Sequence, residues 1–172
     1  MISIRGAIWF GLAATAWLSA GPATSAELSS RYRRVGVCRE TGHGVDQDWI
    51  LKTCGGYPGQ PVWIAYSDST KAHVGFGPKQ NVSGTFGTVA VETARLEWRG
   101  LRRGAKFEPF AVIIRLREPF DETGKSALVV YRLRLDGTSC IIGRAQRSNA
   151  KAREIADASL AHFLCEDEPD RP

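Results

Sequence analysis

The chain has 172 residues, 23 lysines and arginines against 18 aspartates and glutamates, and a formal net charge of +5. Its length allows one domain with a sizeable core and excludes two ordinary ones. The basic balance favours acidic partners.

Residues 1–26 read as a secretory signal peptide. Arg5 precedes an apolar run from Ala7 to Ala20, and small residues lead to Ala23-Thr24-Ser25-Ala26 just before Glu27. A positive start, a short apolar stretch and a small-x-small cleavage site define such a leader. The run falls short of the roughly 18–20 apolar residues that cross a bilayer. An uncleaved anchor is the alternative. No membrane span is expected after cleavage, and the mature protein is expected in the periplasm of a Gram-negative host or secreted. Cleavage leaves 146 residues, of which 27–165 carry +7 and the tail, Glu166 to Pro172, −3.

The expected organisation is a leader (1–26), an exposed solvated arm (27–34), one disulfide-stapled α+β domain (35–165) and an acidic disordered tail (166–172). Four cysteines remain after cleavage: Cys38, Cys54, Cys140 and Cys165. An even count in an exported chain predicts disulfides. The pairing Cys38–Cys54 and Cys140–Cys165 is preferred because both bridges close short loops and do not cross. No C-x-x-C spacing supports a metal or redox reading.

From Val35 the text is irregular and glycine-containing as far as Pro61, with turn chemistry at His43-Gly44-Val45-Asp46 and from Gly55 to Pro61. Strand signals follow. Val62 to Tyr66 and Ala72 to Phe76 predict a hairpin, and Thr85 to Val91 and Arg95 to Arg99 two further strands. Gly100 to Gly104 reads as a basic turn. Phe110 to Arg117, Ser126 to Leu135 and Thr138 to Arg144 are the strongest strands, the last two joined at Asp136-Gly137 as in a two-residue type I′ hairpin. One helix closes the domain, capped by Ser148 or Asn149, with Ala152, Ile155, Ala156, Ser159, Leu160 and Phe163 forming its buried stripe. If that helix ran straight back along its strand, Cys165 would overshoot Cys140 by on the order of 10 Å, so a tilt or a non-helical last turn is required. The fold expected is α+β: an antiparallel sheet with one C-terminal helix packed on one face, a closed or partly closed barrel being the rival arrangement.

One surface stands out. On the strand 110–117, Phe110, Val112, Ile114 and Leu116 point one way and Ala111, Ile113, Arg115 and Arg117 the other. On 126–135, Val129, Tyr131, Leu133 and Leu135 oppose Leu128, Val130, Arg132 and Arg134. Only one parity of pairing keeps an apolar face, and it gathers Arg115, Arg117, Arg132 and Arg134 on the other, towards opposite ends of the hairpin. Solvent-face arginines with acidic neighbours are common. The functional alternative is an anion-binding face, since the guanidinium fork matches carboxylate and phosphate.

Catalytic patterns are weak. Asp68, Ser69 and His73 allow a triad to be drawn, with no G-x-S-x-G elbow to support it. His162 reads as a helix-packing residue, and His43, Asp46 and Asp48 as a polar loop without the remaining ligands of a calcium site. Glu92, Glu97 and Glu108 are the carboxylates nearest strands, and Trp49, Trp63 and Trp98 the candidates for a saccharide platform. No cofactor or metal is expected. The reading that follows is a non-enzymatic exported binding module for an anionic envelope polymer, a lipid headgroup or an acidic protein; the compartment argues against nucleic acid. An inhibitor of a secreted hydrolase such as lysozyme, or a periplasmic enzyme with a site assembled only in three dimensions, are the rivals. Many lysozymes are basic, which weighs against the inhibitor.

Overall fold

A computed structural model of the chain describes residues 25–44, 49–67, 69–88, 91–117 and 125–166. The leader up to residue 24, Asp46, Asp48, Asp68 and the tail after Glu166 lie outside the described residues.

Among the described residues, ten strands and one helix build three layers. One sheet joins β1 (Glu27–Arg34), β7 (Arg95–Arg103), β8 (Lys106–Arg117), β9 (Ser126–Leu133) and β10 (Ser139–Ala145), in that order. The other joins β2 (Cys38–His43), β3 (Ile50–Tyr57), β4 (Gln60–Tyr66), β5 (Lys71–Phe76) and β6 (Ser83–Gly87), and every pairing is antiparallel. The sheets face each other across the main core. Trp98, Tyr131 and Phe76 meet there, with ring centroids 4.9 Å apart for Phe76–Tyr131 and 5.9 Å for Phe76–Trp98. Neither sheet closes on itself, so the barrel alternative is corrected: β1 and β10 are the two edges of one sheet and β2 and β6 those of the other. Helix α1 (Asn149–Ala158) covers the outer face of the first sheet over a second cluster built from Phe110, Ala111, Ile113, Leu128, Val130, Ala145, Ala152 and Ala156. Central strand β8 is therefore buried on both faces, which is why Phe110 to Ile114 is an unbroken apolar run.

Both bridges form as the loop argument preferred, Cys38–Cys54 and Cys140–Cys165. The overshoot at Cys165 is absorbed because α1 stops at Ala158. Ser159 turns its hydroxyl onto Ala156 O at 2.6 Å, and a turn followed by an irregular segment brings Cys165 back to Cys140. That early stop leaves Leu160 and Phe163, expected in the buried stripe, 40% and 36% exposed. No helix among the described residues is long and apolar enough to cross a membrane.

Residues 27–34 are not a free arm. They pair along their whole length with β7, from Glu27↔Arg102 to Arg34↔Arg95, and so belong to the domain. Their side chains are mostly exposed, which is the signal that suggested an arm; backbone pairing needs no apolar pattern at a sheet edge. The segment 38–57, expected to be irregular, forms the β2–β3 hairpin, held by Cys38 lying directly across from Cys54. The β9–β10 turn closes between Arg134 and Thr138, so its loop has three residues, with Gly137 in the left-handed region (φ 90°), and Leu135 sits in it fully exposed.

Gly75 marks the tightest approach within the second sheet. A Cβ there would stand 1.7 Å from the carbonyl oxygen of Asn81, a backbone atom that cannot swing aside. Gly75→Ala is expected to cost about 3 kcal/mol, at the upper end of overpacking effects. Urea denaturation checks this; an unchanged midpoint would show that the loop at Asn81 can yield.

Candidate functional site

The predicted parity of the β8–β9 hairpin holds, with Ala111↔Arg132, Ile113↔Val130 and Arg115↔Leu128 directly opposite. A bulge in β8 opposite Arg99–Gly100 shifts Phe110 out of the apolar core set and into the cluster under α1. Of the four expected arginines, Arg115, Arg117 and Arg132 share one face and Arg134 lies just past the end of β9; the two ends do not meet, because α1 lies between them.

Arg132 and Arg134 sit towards the β9–β10 turn. The Arg132 guanidinium lies between the rings of Phe110 and Phe163, at 5.1 and 5.4 Å, and donates from Nη1 to Phe110 O at 3.0 Å. Burial works against its charge and holds its pKa below the usual arginine value, and its Nε has no hydrogen-bond partner among the described residues. Arg134 pairs with Asp136 at 3.7 Å.

Arg115 and Arg117 reach the opposite end and line a cleft of about 560 Å³, together with Arg95, Tyr32, Ser126 and Asn149 at the start of α1. Ile113 and Leu128 form its floor. Arg95 was not singled out from sequence, although it begins a predicted strand; its neighbours depend on the β1–β7–β8 order. It stands directly across from Arg34 on β1, and continuing the register past Leu96↔Ile114 places Arg115 on its other side. Arg95 lies over the Tyr32 ring at 4.7 Å. Among the described residues Arg115 makes only long contacts to neutral groups, Gln146 O at 3.3 Å and Ser126 Oγ at 3.5 Å. Among the described residues none of Arg34, Arg95, Arg115 and Arg117 pairs with a carboxylate. Glu118, Asp121 and Glu122 of the β8–β9 connection lie outside the described residues.

Glu97 is the one carboxylate among the described lining residues, and it is already engaged. It accepts from Arg153 Nε and Ser30 Oγ, both at 2.6 Å. Ser30 accepts from Arg99 at 3.1 Å, Arg99 grips Asp157 through two bonds of 2.7 and 2.8 Å, and Arg153 donates to the Tyr32 hydroxyl at 2.6 Å. Donating hydrogen bonds to Asp157 and Glu97 raises the pKa of Arg99 and Arg153 respectively. These two cations tie α1 to the sheet. The N-terminus of α1, capped by Ser148 onto Lys151 N at 3.1 Å and without an acidic residue in its first turn, adds partial positive charge beside the cleft.

The other candidates disperse. His73 contacts Gly84 O through Nδ1 at 2.6 Å and Ser67 Oγ through Nε2 at 3.2 Å, so its partner serine is Ser67 and not Ser69. The Ser67 N–H is bonded to Lys71 O. His43 contacts Glu40, and His162 is exposed beyond the end of α1. No group of three metal-ligating side chains occurs among the described residues. Glu92 binds Lys52 and the Tyr66 hydroxyl, each at 2.8 Å, and is held below its usual pKa chiefly by the Lys52 bond, while Glu108 pairs with Lys106. Trp98 is fully buried, Trp63 donates to Gly77 O at 2.8 Å, and Trp49 is exposed. No family model, curated protein or solved structure matches this chain.

Proposed function

We propose that the protein is an exported, periplasmic, non-enzymatic binding module for an anionic envelope component, and that the cleft beside the start of α1 is its site. The observation that carries this reading is the alignment of Arg34, Arg95 and Arg115 across three neighbouring strands, with Arg117 beside them and no described carboxylate paired to any of them. Like charges directly across a sheet are destabilising, and a bound anion would relieve that repulsion. Of the four arginines singled out from the sequence, Arg115 and Arg117 belong to this site. Arg132, covered by rings, and Arg134, paired with Asp136, serve it less well.

The test is retention of the mature protein on an immobilised anionic polysaccharide. Arg95→Ala/Arg115→Ala is expected to elute at clearly lower salt with an unchanged or raised melting temperature, because a repulsive pair has gone. Arg134→Ala should elute close to the parent. Equal retention of parent and double variant at low salt would remove the proposal.

A further inference from the structure

We infer that the occupant of this cleft is a linear chain of closely spaced phosphates lying across the strands, and not a single small anion; this rests on the anion-binding reading above. Adjacent strands lie about 4.8 Å apart, so Arg95 and Arg115 in the cleft and Arg34, which stands across from Arg95 just outside the lining, present three cations over a row of about 10 Å that runs perpendicular to β1, β7 and β8. Arg117 extends the row along β8 by about 7 Å. One small anion reaches only part of such a row, whereas a chain crossing the strands meets a guanidinium at each.

The choice of phosphate follows from acceptor geometry. A carboxylate offers two oxygens and is matched by one bidentate fork. A phosphate offers oxygens in several directions, and guanidiniums on neighbouring strands can share it. Arg95 is poised for that role. It lies over Tyr32, and none of its donors is bonded among the described residues. Among the described residues Arg115 is tied only to two neutral oxygens. The one carboxylate among the described lining residues, Glu97, is held by Arg153 and Ser30.

The experiment is calorimetric titration of the disulfide-intact mature protein with orthophosphate, tripolyphosphate and short polyglutamate over a range of salt. Tripolyphosphate should bind at least tenfold more tightly than either of the others. Its log K should fall against log salt with a slope of about three, as expected for three neutralised contacts. Arg34→Ala, Arg95→Ala and Arg115→Ala should each reduce that slope by about one, whereas Arg103→Ala, at the far end of β7, should not. The triple replacement of Arg34, Arg95 and Arg115 by Lys should keep the fold and the slope while losing the preference for phosphate. Orthophosphate binding as tightly as tripolyphosphate would overturn the chain-like ligand and leave the anion-binding reading standing; equal binding of polyglutamate would overturn the phosphate assignment alone. If the only anion retained is the surface of phosphatidylglycerol vesicles, the linear chain is overturned in favour of a membrane. If nothing anionic binds, both readings fail together.

Discussion

Glu97→Gln is expected to weaken the fold and tighten the site in the same molecule. The carboxylate accepts from Arg153 and Ser30 at 2.6 Å each, and its side chain is only 7% exposed. Losing the charge while keeping the shape costs charge-assisted hydrogen bonds worth about 1.5–3 kcal/mol, so a loss of about 2 kcal/mol is predicted by urea denaturation. The same change removes the one described negative charge lining the cleft and leaves Arg153 without its counter-ion. A unit charge a few ångströms from a partly exposed site is worth about 1–3 kcal/mol, so anion affinity should rise about tenfold at low salt. Arg99→Gln provides the contrast. It breaks the Asp157 clamp and lowers stability, but removes a cation that does not line the cleft, so affinity should change little. If stability and affinity fall together in Glu97→Gln, Glu97 supports the cleft wall and the electrostatic account of the site is wrong.

The second large effect concerns the helix layer. Cys140→Ser/Cys165→Ser is expected to lower stability by about 2–4 kcal/mol and to loosen α1 more than either sheet. Ten residues are too few for a helix to persist alone in water, and α1 buries only Ala152 and Ala156 completely. Its other attachments include the partly buried Ile155, the Arg99–Asp157 and Arg153–Glu97 pairs and the covalent return at Cys165. Hydrogen exchange should therefore show lost protection across residues 149–158 while β4, β8 and β9 stay protected. Because Asn149 lines the cleft, anion affinity should also drop, by a few-fold. Uniform loss of protection through both sheets would mean that the bridge supports the whole sandwich and not one layer.

Much of this architecture was legible in the residues, for identifiable reasons. The β8–β9 register could be read because a one-residue slip would bury two arginines, and Val112↔Tyr131 and Ile114↔Val129 confirm the parity. The disulfides followed from loop length. β1 and the β2–β3 hairpin were missed because exposed edge strands carry no alternating apolar pattern; ELSSRYRR is held by its backbone partners in β7. The end of α1 was misplaced because Leu160 and Phe163 continue the helical spacing, yet Cys165 must return to Cys140, and geometry overrides periodicity there. The cleft itself was half legible. Parity placed Arg115 and Arg117 on one face, but Arg95 lines the cleft with them, and Arg34 stands beside it, only through the β1–β7–β8 neighbour order, which local sequence does not encode. Arg132 was included for the same parity, and only the packing of Phe110 and Phe163 separates it from the others.

The most direct test of the site is a titration followed at the arginine Nε–Hε resonances by NMR, with tripolyphosphate added to the mature protein at low salt. Signals of Arg34, Arg95, Arg115 and Arg117 should move together along one saturable curve while those of Arg99 and Arg153, already held by carboxylates, stay still. Shifts centred on Arg132, or small and equal at every exposed arginine, would contradict a binding site at this end of the sheet.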